Sequence, residues 1–485
     1  MRILGINCLN HDAAVSVIEN GKILFAAHSE RYSRKKNDML LNNDIIQEAL
    51  SYGEPNKIAY YERPWIKKTR QLYAGQYNEV FNLNNLPNKY LKPWFKNQKI
   101  NYIDHHLSHA AAGYYTSPYK EAAILVIDGI GEWDVLTIWH GKGNNIKKIH
   151  SIKYPHSLGL FYSAATQAID LKPCEEEYIL MGMSGWGKDK HWKQLKNDLF
   201  DKNKLLKLNY NLHKGLGLYG KEWEQFDMAA STQTLTEHIL DRIIKYTKQL
   251  LPNIDNLVYM GGCALNCVAN GKILPKYYNN AWIMPNPGDA GSSLGAAAAV
   301  YGKHVKWEGP FLGTEIKGKY PVKRALNYLL KGDIIGIANG KAEFGPRALG
   351  NRSLLADPRG PHIKDKVNEI KRRQKFRPFA PAIMEEYACE IFDMPVEKVP
   401  YMQYTATCKY PDKYPAICHV DNTSRVQTVS KKDNPGFYSL LKAFYKETGC
   451  PMLLNTSLNI KGQPIVNTKE HAKEFEKHYK IKVLS

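Results

Sequence analysis

Apolar residues gather in three short runs bounded by polar residues at the amino end: RILGIN (2–7), AAVSVIE (13–19) and KILFAAH (22–28). Turns at Asn10-His11 and Asn20-Gly21 separate them, so the runs predict an antiparallel meander. The pattern returns from residue 122, with AAILVID (122–128), the turn Gly129-Ile130-Gly131-Glu132, DVLTIWH (134–140), Gly141-Lys142-Gly143 and KKIHSI (147–152). A strand, tight turn and hairpin thus occur twice. Two such halves facing one another make a nucleotide cleft, the arrangement of the actin-like and Hsp70-like ATPases. The expected fold is α/β, beginning with a duplicated ribonuclease-H-type domain.

Further along, the pattern changes. Residues 233–251 carry apolar positions at helical spacing, ahead of the strand NLVYMGG (256–262), a glycine turn and a helix from about Leu265. NPGDAGSSLGAA (286–297) is another glycine turn opening a small-residue helix, which suits the second half of the cleft. Lys306 to Lys323, with Gly309-Pro310 and Gly318, reads as a linker. The expected domains are 1–315 and a second α/β domain over 322–485. Residues 60–100 form an insertion in the first, where Arg63, Trp65, Lys67, Tyr73, Lys89 and Trp94 interleave charge with aromatics. It can stack bases beside a backbone-tracking groove, or cover the domain as an amphipathic layer with snorkelling lysines. Both readings stand at this point.

With 485 residues and 44% hydrophobic content, the chain is globular and too long for one ordinary core. No apolar run approaches the roughly 18 residues of a spanning helix. Met1-Arg2-Ile3-Leu4 leads straight into strand-like sequence rather than an export signal. A cytoplasmic protein with no membrane partner is expected. The eight cysteines contain no CxxC pair, which predicts reduced thiols. The 67 Lys+Arg against 47 Asp+Glu leave a net charge of +20, a field that concentrates phosphate-bearing molecules and keeps nucleic acid open as a partner.

The basic residues are densest in KAEFGPRALGNRSLLADPR (341–359), with three arginines, a lysine and turn-forming glycines in nineteen residues. Guanidinium forks bind phosphate or carboxylate oxygens in pairs, and Gly345 and Gly350 allow backbone N–H groups near the same oxygens. Lys371, Arg372, Arg373, Lys375 and Arg377 follow, ahead of Pro378-Phe379-Ala380-Pro381, which holds the chain extended. The two segments predict a phosphate or acyl-phosphate site. Elsewhere, His105 and His109 are four apart, so on a helix both imidazoles face one metal ion. Asp128 closes a buried strand and Asp289 sits in a glycine turn at a helix start, uncomfortable places for lone carboxylates. Together they make a His2Asp2 set, with His106 pointing elsewhere. His11, beside Asp12 in the first turn, is a candidate general base. No GxSxG elbow is present and no cysteine stands out as a nucleophile.

EFGPRALGNRS, RPFAPA (377–382) and NTSLNIKGQPIV (455–466) resemble the C-terminal domain of the O-carbamoyltransferases of nodulation-factor and antibiotic biosynthesis. His11-Asp12-Ala13-Ala14, HHLSHAAAGYY (105–115), DGIGE (128–132), GGCALN (261–266) and NPGDAGSSLGAA match the same family in order, so the resemblance covers nearly the whole chain. It implies that the second domain is YrdC-like and makes a carbamoyl-adenylate from carbamoyl phosphate and ATP. The first, Kae1-like domain would then transfer the carbamoyl group to an acceptor hydroxyl.

The resemblance further implies His105, His109, Asp128 and Asp289 as ligands of Fe2+ or Zn2+, and His11, Asp12 and Lys36 as the transfer site. Gly129, Gly131, Glu132, Gly261, Gly262, Asn266 and Gly288 are expected around a nucleotide in the first domain. Lys341, Arg347, Arg352, Lys371, Arg377, Arg425, Asn455, Ser457 and Asn459 are expected around carbamoyl phosphate and ATP in the second, with Mg2+ accompanying ATP. Small metabolites, sugars and hydroxymethylated bases in DNA are all candidate acceptors, and a homodimer is the assembly carried forward. Relatives commonly show EYKVMGLAPYG where this chain has Glu177-Tyr178-Ile179-Leu180-Met181-Gly182-Met183-Ser184-Gly185-Trp186-Gly187, which alters a wall near the nucleotide or acceptor. Two other readings are a tRNA-threonylcarbamoyl-type enzyme, requiring threonine and bicarbonate, and a non-catalytic nucleic-acid-binding protein on an ATPase-like scaffold.

Overall fold

A computed structural model of the chain describes residues 1–96 and 98–485. The first meander forms as β1 (Arg2–Asn7), β2 (Ala14–Glu19) and β3 (Lys22–His28), and β4 (Lys57–Tyr60) and β5 (Ile100–Tyr102) extend it. The order is β3-β2-β1-β4-β5, antiparallel within the meander and parallel from β1 outward. The second pattern gives β6 (Glu121–Gly131), β7 (Asp134–Lys142), β8 (Asn145–Lys153), β9 (Asn256–Met260) and β10 (Asn280–Trp282). Their order, β8-β7-β6-β9-β10, has the same mixture of directions. The sheet is therefore duplicated in topology, as the repeated sequence pattern predicts.

Helices His105–Thr116 and Ser292–Tyr301 pack on one another between the sheets. Their small residues are the reason: a Cβ on Gly295 would lie 1.8 Å from the Ser108 carbonyl oxygen, so only glycine permits this approach. The crossing brings the first turn of one helix, with His105 and His109, beside the Asp289–Gly291 turn that leads into the other. The long helix near 233–251 begins earlier, at Gln225, and the helix expected from about Leu265 runs over Cys267–Ile273 after a 3-10 turn.

The second region contains β11 (Phe311–Ile316), β12 (Ile335–Ala338), β13 (Gly340–Glu343), β14 (Arg352–Ala356), β15 (Ala380–Met384), β16 (Phe392–Asp393), β17 (Thr405–Cys408), β18 (Thr423–Arg425), β19 (Gln427–Val429), β20 (Met452–Ser457) and β21 (Val483–Leu484). A six-stranded sheet runs β19-β15-β20-β14-β12-β21, and β16-β17-β18 form a smaller one. The 306–323 stretch, read from sequence as a linker, instead carries β11, which pairs antiparallel with β13. Alternating FLGTEI has strand character that the flanking glycines obscured. Arg34 donates to the Ile465 and Pro464 carbonyls at 2.8 and 2.9 Å, and Arg31 to Gly345 at 2.9 Å, tying the first sheet's connections to the carboxyl-terminal loops.

The eight cysteines are free thiols. Among the described residues no helix is long and apolar enough to cross a membrane. The insertion leaves β4 and returns at β5 through short helices, the first of which are Pro64–Tyr73 and Tyr77–Phe81.

Candidate active site

Asp104 caps the helix His105–Thr116 by accepting the Leu107 N–H at 2.9 Å, which places His105 and His109 in its first turns, both fully buried. His109 Nδ1 donates to the Pro287 carbonyl at 3.1 Å; since a carbonyl only accepts, Nε2 keeps its lone pair. That lone pair faces His105 Nε2 at 3.1 Å and Asp289 Oδ1 at 3.2 Å. His105 Nε2 stands 3.5 Å from both Asp128 Oδ2 and Asp289 Oδ1. One ligand atom from each of the four residues lies within 4.8 Å of the others. The Gly262 N–H fixes Asp128 through Oδ1 at 2.9 Å. Burial disfavours charge here, but Asp289 ahead of Asp128 stabilises positive charge and pushes His105 up. Two buried imidazoles, His109 oriented through Pro287, and two buried carboxylates converging on one point form a donor set that can bind a divalent metal ion. His106 turns away, with Nδ1 2.8 Å from Thr137 Oγ1.

His11 adjoins this cluster. Its Nδ1 is 3.0 Å from Asp12 Oδ2 and its Nε2 is 3.5 Å from Asp289 Oδ2, while 43% of the side chain stays exposed. Burial opposes the imidazolium, and Asp289 and then Asp12 outweigh it, so His11 is pushed up to about 10. Lys36 is exposed on the wall of the same cavity.

Of the residues expected around a nucleotide in the first region, Gly129, Glu132, Gly262, Asn266 and Gly288 line this cavity. Gly131 and Gly261 act on backbone geometry instead. A Cβ on Gly131 would meet the His105 ring at 2.4 Å, and one on Gly261, at φ 91°, would meet the Ile127 oxygen at 2.1 Å. The Glu132 carboxylate is held by Arg63, whose Nε donates at 3.0 Å and whose backbone N–H donates at 2.6 Å, so it is spent on the fold. Asn266 caps helix Cys267–Ile273 and exchanges hydrogen bonds with Gln233.

The cavity, about 1090 Å³, continues to the second region, where Arg347, Arg373, Arg377 and Arg425 line it. Among the described residues none of the four has a carboxylate within ion-pair distance. Burial and then Arg425 push Arg347 down to about 9. Burial and then Arg377 push Arg373 down as well. Such a group of cations is electrostatically incomplete without an anion. Tyr178, from the altered 177–187 segment, carries Arg377 over its ring at 4.8 Å. Arg373 belongs to the basic segment that the sequence assigns to an anion site and Tyr178 to the altered segment, but neither is among the individually expected ligands.

Three expected ligands, Arg352, Lys371 and Asn455, bond within the protein, and a fourth, Lys341, lies off the cavity. Arg352 is fully buried, and its guanidinium donates to the carbonyls of Asn467, Asn339, Gly340, Asn351 and Thr314 at 2.8–3.2 Å. It cross-links loops and cannot reach a phosphate, because its donors are consumed. Lys341 does not line the cavity. Lys371 gives its three protons to Ser457 and Asn459, whose oxygens lie at 2.5–3.1 Å, so it shapes the 457–459 loop. Asn455 donates to Ala348 and Gln427 and keeps a buried, unpartnered Oδ1. Arg352→Met should therefore cost about 3–5 kcal/mol by orphaning buried carbonyls, read as a lower midpoint in denaturant titration.

Residues 2–298 match the family model for the carbamoyltransferase N-terminus, and 326–485 match that for the carbamoyltransferase C-terminus. The chain belongs to the carbamoyltransferase family. It is 32% identical to the uncharacterized protein sll1178 of Synechocystis sp., over 97% of this chain and 93% of that protein. It is 30% identical to nodulation protein NolNO of Sinorhizobium fredii, over 95% of this chain and 76% of that protein. It is 26% identical to the 3'-hydroxymethylcephem-O-carbamoyltransferase of Amycolatopsis lactamdurans, over 94% and 93% of the two chains. This carbamoyltransferase is thus a transferase enzyme. Its N-terminal match spans the His/Asp cluster and its C-terminal match the arginine cluster.

Proposed function

We propose that this carbamoyltransferase is an ATP-dependent O-carbamoyltransferase working in two steps on its shared cavity. One observation carries the reading: four arginines without carboxylate partners and a buried His2Asp2 set border the same space. In the first step a water molecule hydrolyses the mixed anhydride of carbamoyl phosphate, giving carbamate and phosphate. A carbamate oxygen then attacks the α-phosphorus of ATP, and pyrophosphate leaves with the electron pair of the broken P–O bond. Arg347, Arg373, Arg377 and Arg425 bind and orient the anions, with Mg2+ offsetting triphosphate charge. The YrdC-like character of this region belongs to the same proposal.

The carbamoyl-adenylate then stays within the cavity, which limits its loss to water. His105, His109, Asp128 and Asp289 would hold Fe2+ or Zn2+, which when bound supplies Lewis-acid polarisation of the carbonyl. With Asp289 engaged on a divalent ion, the charge that pushes His11 up would be offset, and His11, oriented through Nδ1 by Asp12, would then take the acceptor hydroxyl proton at Nε2 as the new C–O bond forms. AMP departs, its charge steadied by Lys36, and an O-carbamoyl product remains. The acceptor enters through the arm lined by Gln71, Gln76, Gln167 and His213. There the nearby Lys68 and Arg70 are committed to Asn85, Gln76 and backbone carbonyls.

Mass spectrometry of candidate acceptors, after incubation with ATP, magnesium and carbamoyl phosphate, should show a carbamoyl mass gain. Threonine-dependent use of bicarbonate in place of carbamoyl phosphate would reject the reading. His11→Ala should leave adenylate formation, read as pyrophosphate release, intact and slow transfer by about 10²–10⁴-fold, the usual contribution of a positioned base.

A further inference from the structure

The first two helices of the insertion between β4 and β5 are built inside out. In helix Pro64–Tyr73 the residues at one helical spacing, Pro64, Lys68 and Gln71, are buried, together with Arg70. The opposite stripe, Trp65, Ile66, Leu72 and Tyr73, faces solvent. The inward cations are satisfied: Lys68 Nζ donates to the Glu79, Val80 and Asn82 carbonyls at 2.9–3.1 Å, closing the end of helix Tyr77–Phe81. That second helix adds Tyr77 and Phe81 outside. Trp65, Tyr73, Tyr77 and Phe81 are 63, 69, 59 and 75% exposed. Single exposed apolar residues are ordinary, but an outward stripe of large aromatics over two adjoining helices marks a surface with a partner.

We propose that this face lies on an anionic lipid bilayer surface, with its aromatic rings at the headgroup level. Charge selects this partner. The exposed Lys89, Lys92, Lys96 and Lys99 follow the aromatic helices, and the whole chain carries +20. A second copy of the chain would meet that charge with like charge, whereas an anionic leaflet attracts it. A nucleic-acid groove needs cations interleaved with aromatics on one face, and here the cations of the first helix point inward, away from Trp65 and Tyr73. Aromatic and aliphatic side chains on an in-plane helix with a lysine rim are the composition of interfacial binding. The same helix lines the acceptor arm with its inner side, so docking sets that arm against the bilayer.

The test needs no carbamoyl chemistry. Purified full-length protein is sedimented with equimolar phosphatidylcholine–phosphatidylglycerol vesicles and with phosphatidylcholine alone. Binding to the anionic vesicles, with a blue shift of tryptophan emission, is expected. The double variant Trp65→Glu, Phe81→Glu should weaken it at least about tenfold without changing the melting temperature or AMP formation. Each of Lys89→Glu and Lys92→Glu should weaken it about fivefold. Absence of vesicle binding, or binding indifferent to the double variant, overturns the proposal. So does a dimer that the double variant converts to monomers, or preference for single-stranded oligonucleotide over vesicles. Because binding is read without substrates, failure here leaves the carbamoyl-transfer reading untouched, and the converse holds.

Discussion

Arg347→Ala is expected to abolish the adenylate-forming half-reaction, lowering carbamate-dependent pyrophosphate exchange by at least about 10²–10³-fold. It should do so without destabilising the protein. Arg347 has no carboxylate partner among the described residues, and burial together with Arg425 already disfavours its charge. Removing the guanidinium relieves repulsion in the substrate-free protein, so the melting temperature should hold or rise, the signature of a residue kept for function at the expense of stability. Arg347→Lys keeps the charge but loses the planar fork, and should recover only part of the exchange. Arg352 is the contrast: the same residue type five positions on should lose stability when replaced, because its donors hold five backbone carbonyls. If Arg347→Ala retained exchange while Arg352→Met lost it in a folded protein, activation would have been assigned to the wrong side of strand β14.

That pair of arginines shows what the sequence could and could not reveal. The density of guanidinium and glycine in 341–359 points to an anion site, and Arg347, in the loop before the strand, lines the cavity. Arg352 opens β14, and the strand's period turns it into the interior, where carbonyls of neighbouring loops await it. A composition argument cannot separate the two; only the strand boundary does. The meander of 2–28 and its repeat were legible because short apolar runs between turn residues are a local signal, and three strands of each sheet follow from it. His105 and His109 were legible from helical spacing. Their approach to Asp289, 180 residues beyond His109, depends on a glycine-permitted helix crossing that no local pattern encodes.

The insertion failed differently. Interleaved lysines and aromatics gave a helix with two faces, but amphipathicity alone does not say which face turns inward. One of the two readings, an amphipathic cover, puts the aromatic side in with lysines snorkelling out, and residues 86–96 follow it: Leu86, Leu91 and Phe95 are buried while Lys89, Lys92 and Lys96 are exposed. The reverse occurs over Pro64–Phe81, because Lys68 finds the carbonyl-rich end of helix Tyr77–Phe81 and Arg70 finds Gln76 and the Glu132 carbonyl, which satisfies the buried cations without carboxylates. Charge that looked available for a phosphate backbone is consumed by the protein's own backbone.

Asp289→Ala should separate the two half-reactions most sharply. Asp289 is the hub of the first region: Oδ1 faces His109 at 3.2 Å and His105 at 3.5 Å, while Oδ2 faces His11 at 3.5 Å and accepts from Asn10 Nδ2 at 3.5 Å. Losing it removes one anionic donor of four and the carboxylate nearest the proposed base. Bound iron or zinc, measured by elemental analysis after dialysis, should fall to background. Carbamoyl transfer should drop by about 10³-fold or more, the scale of several kcal/mol of barrier. Pyrophosphate exchange should persist, because the arginine cluster is untouched. His106→Ala supplies the control. His106 is equally buried, but its ring bonds Thr137, so its loss should lower the melting temperature while leaving metal content at the unsubstituted level. A protein that retains its metal after Asp289→Ala, or loses exchange together with transfer, would mean that the His/Asp cluster is not a separate transfer centre. The cavity would then serve one step rather than two.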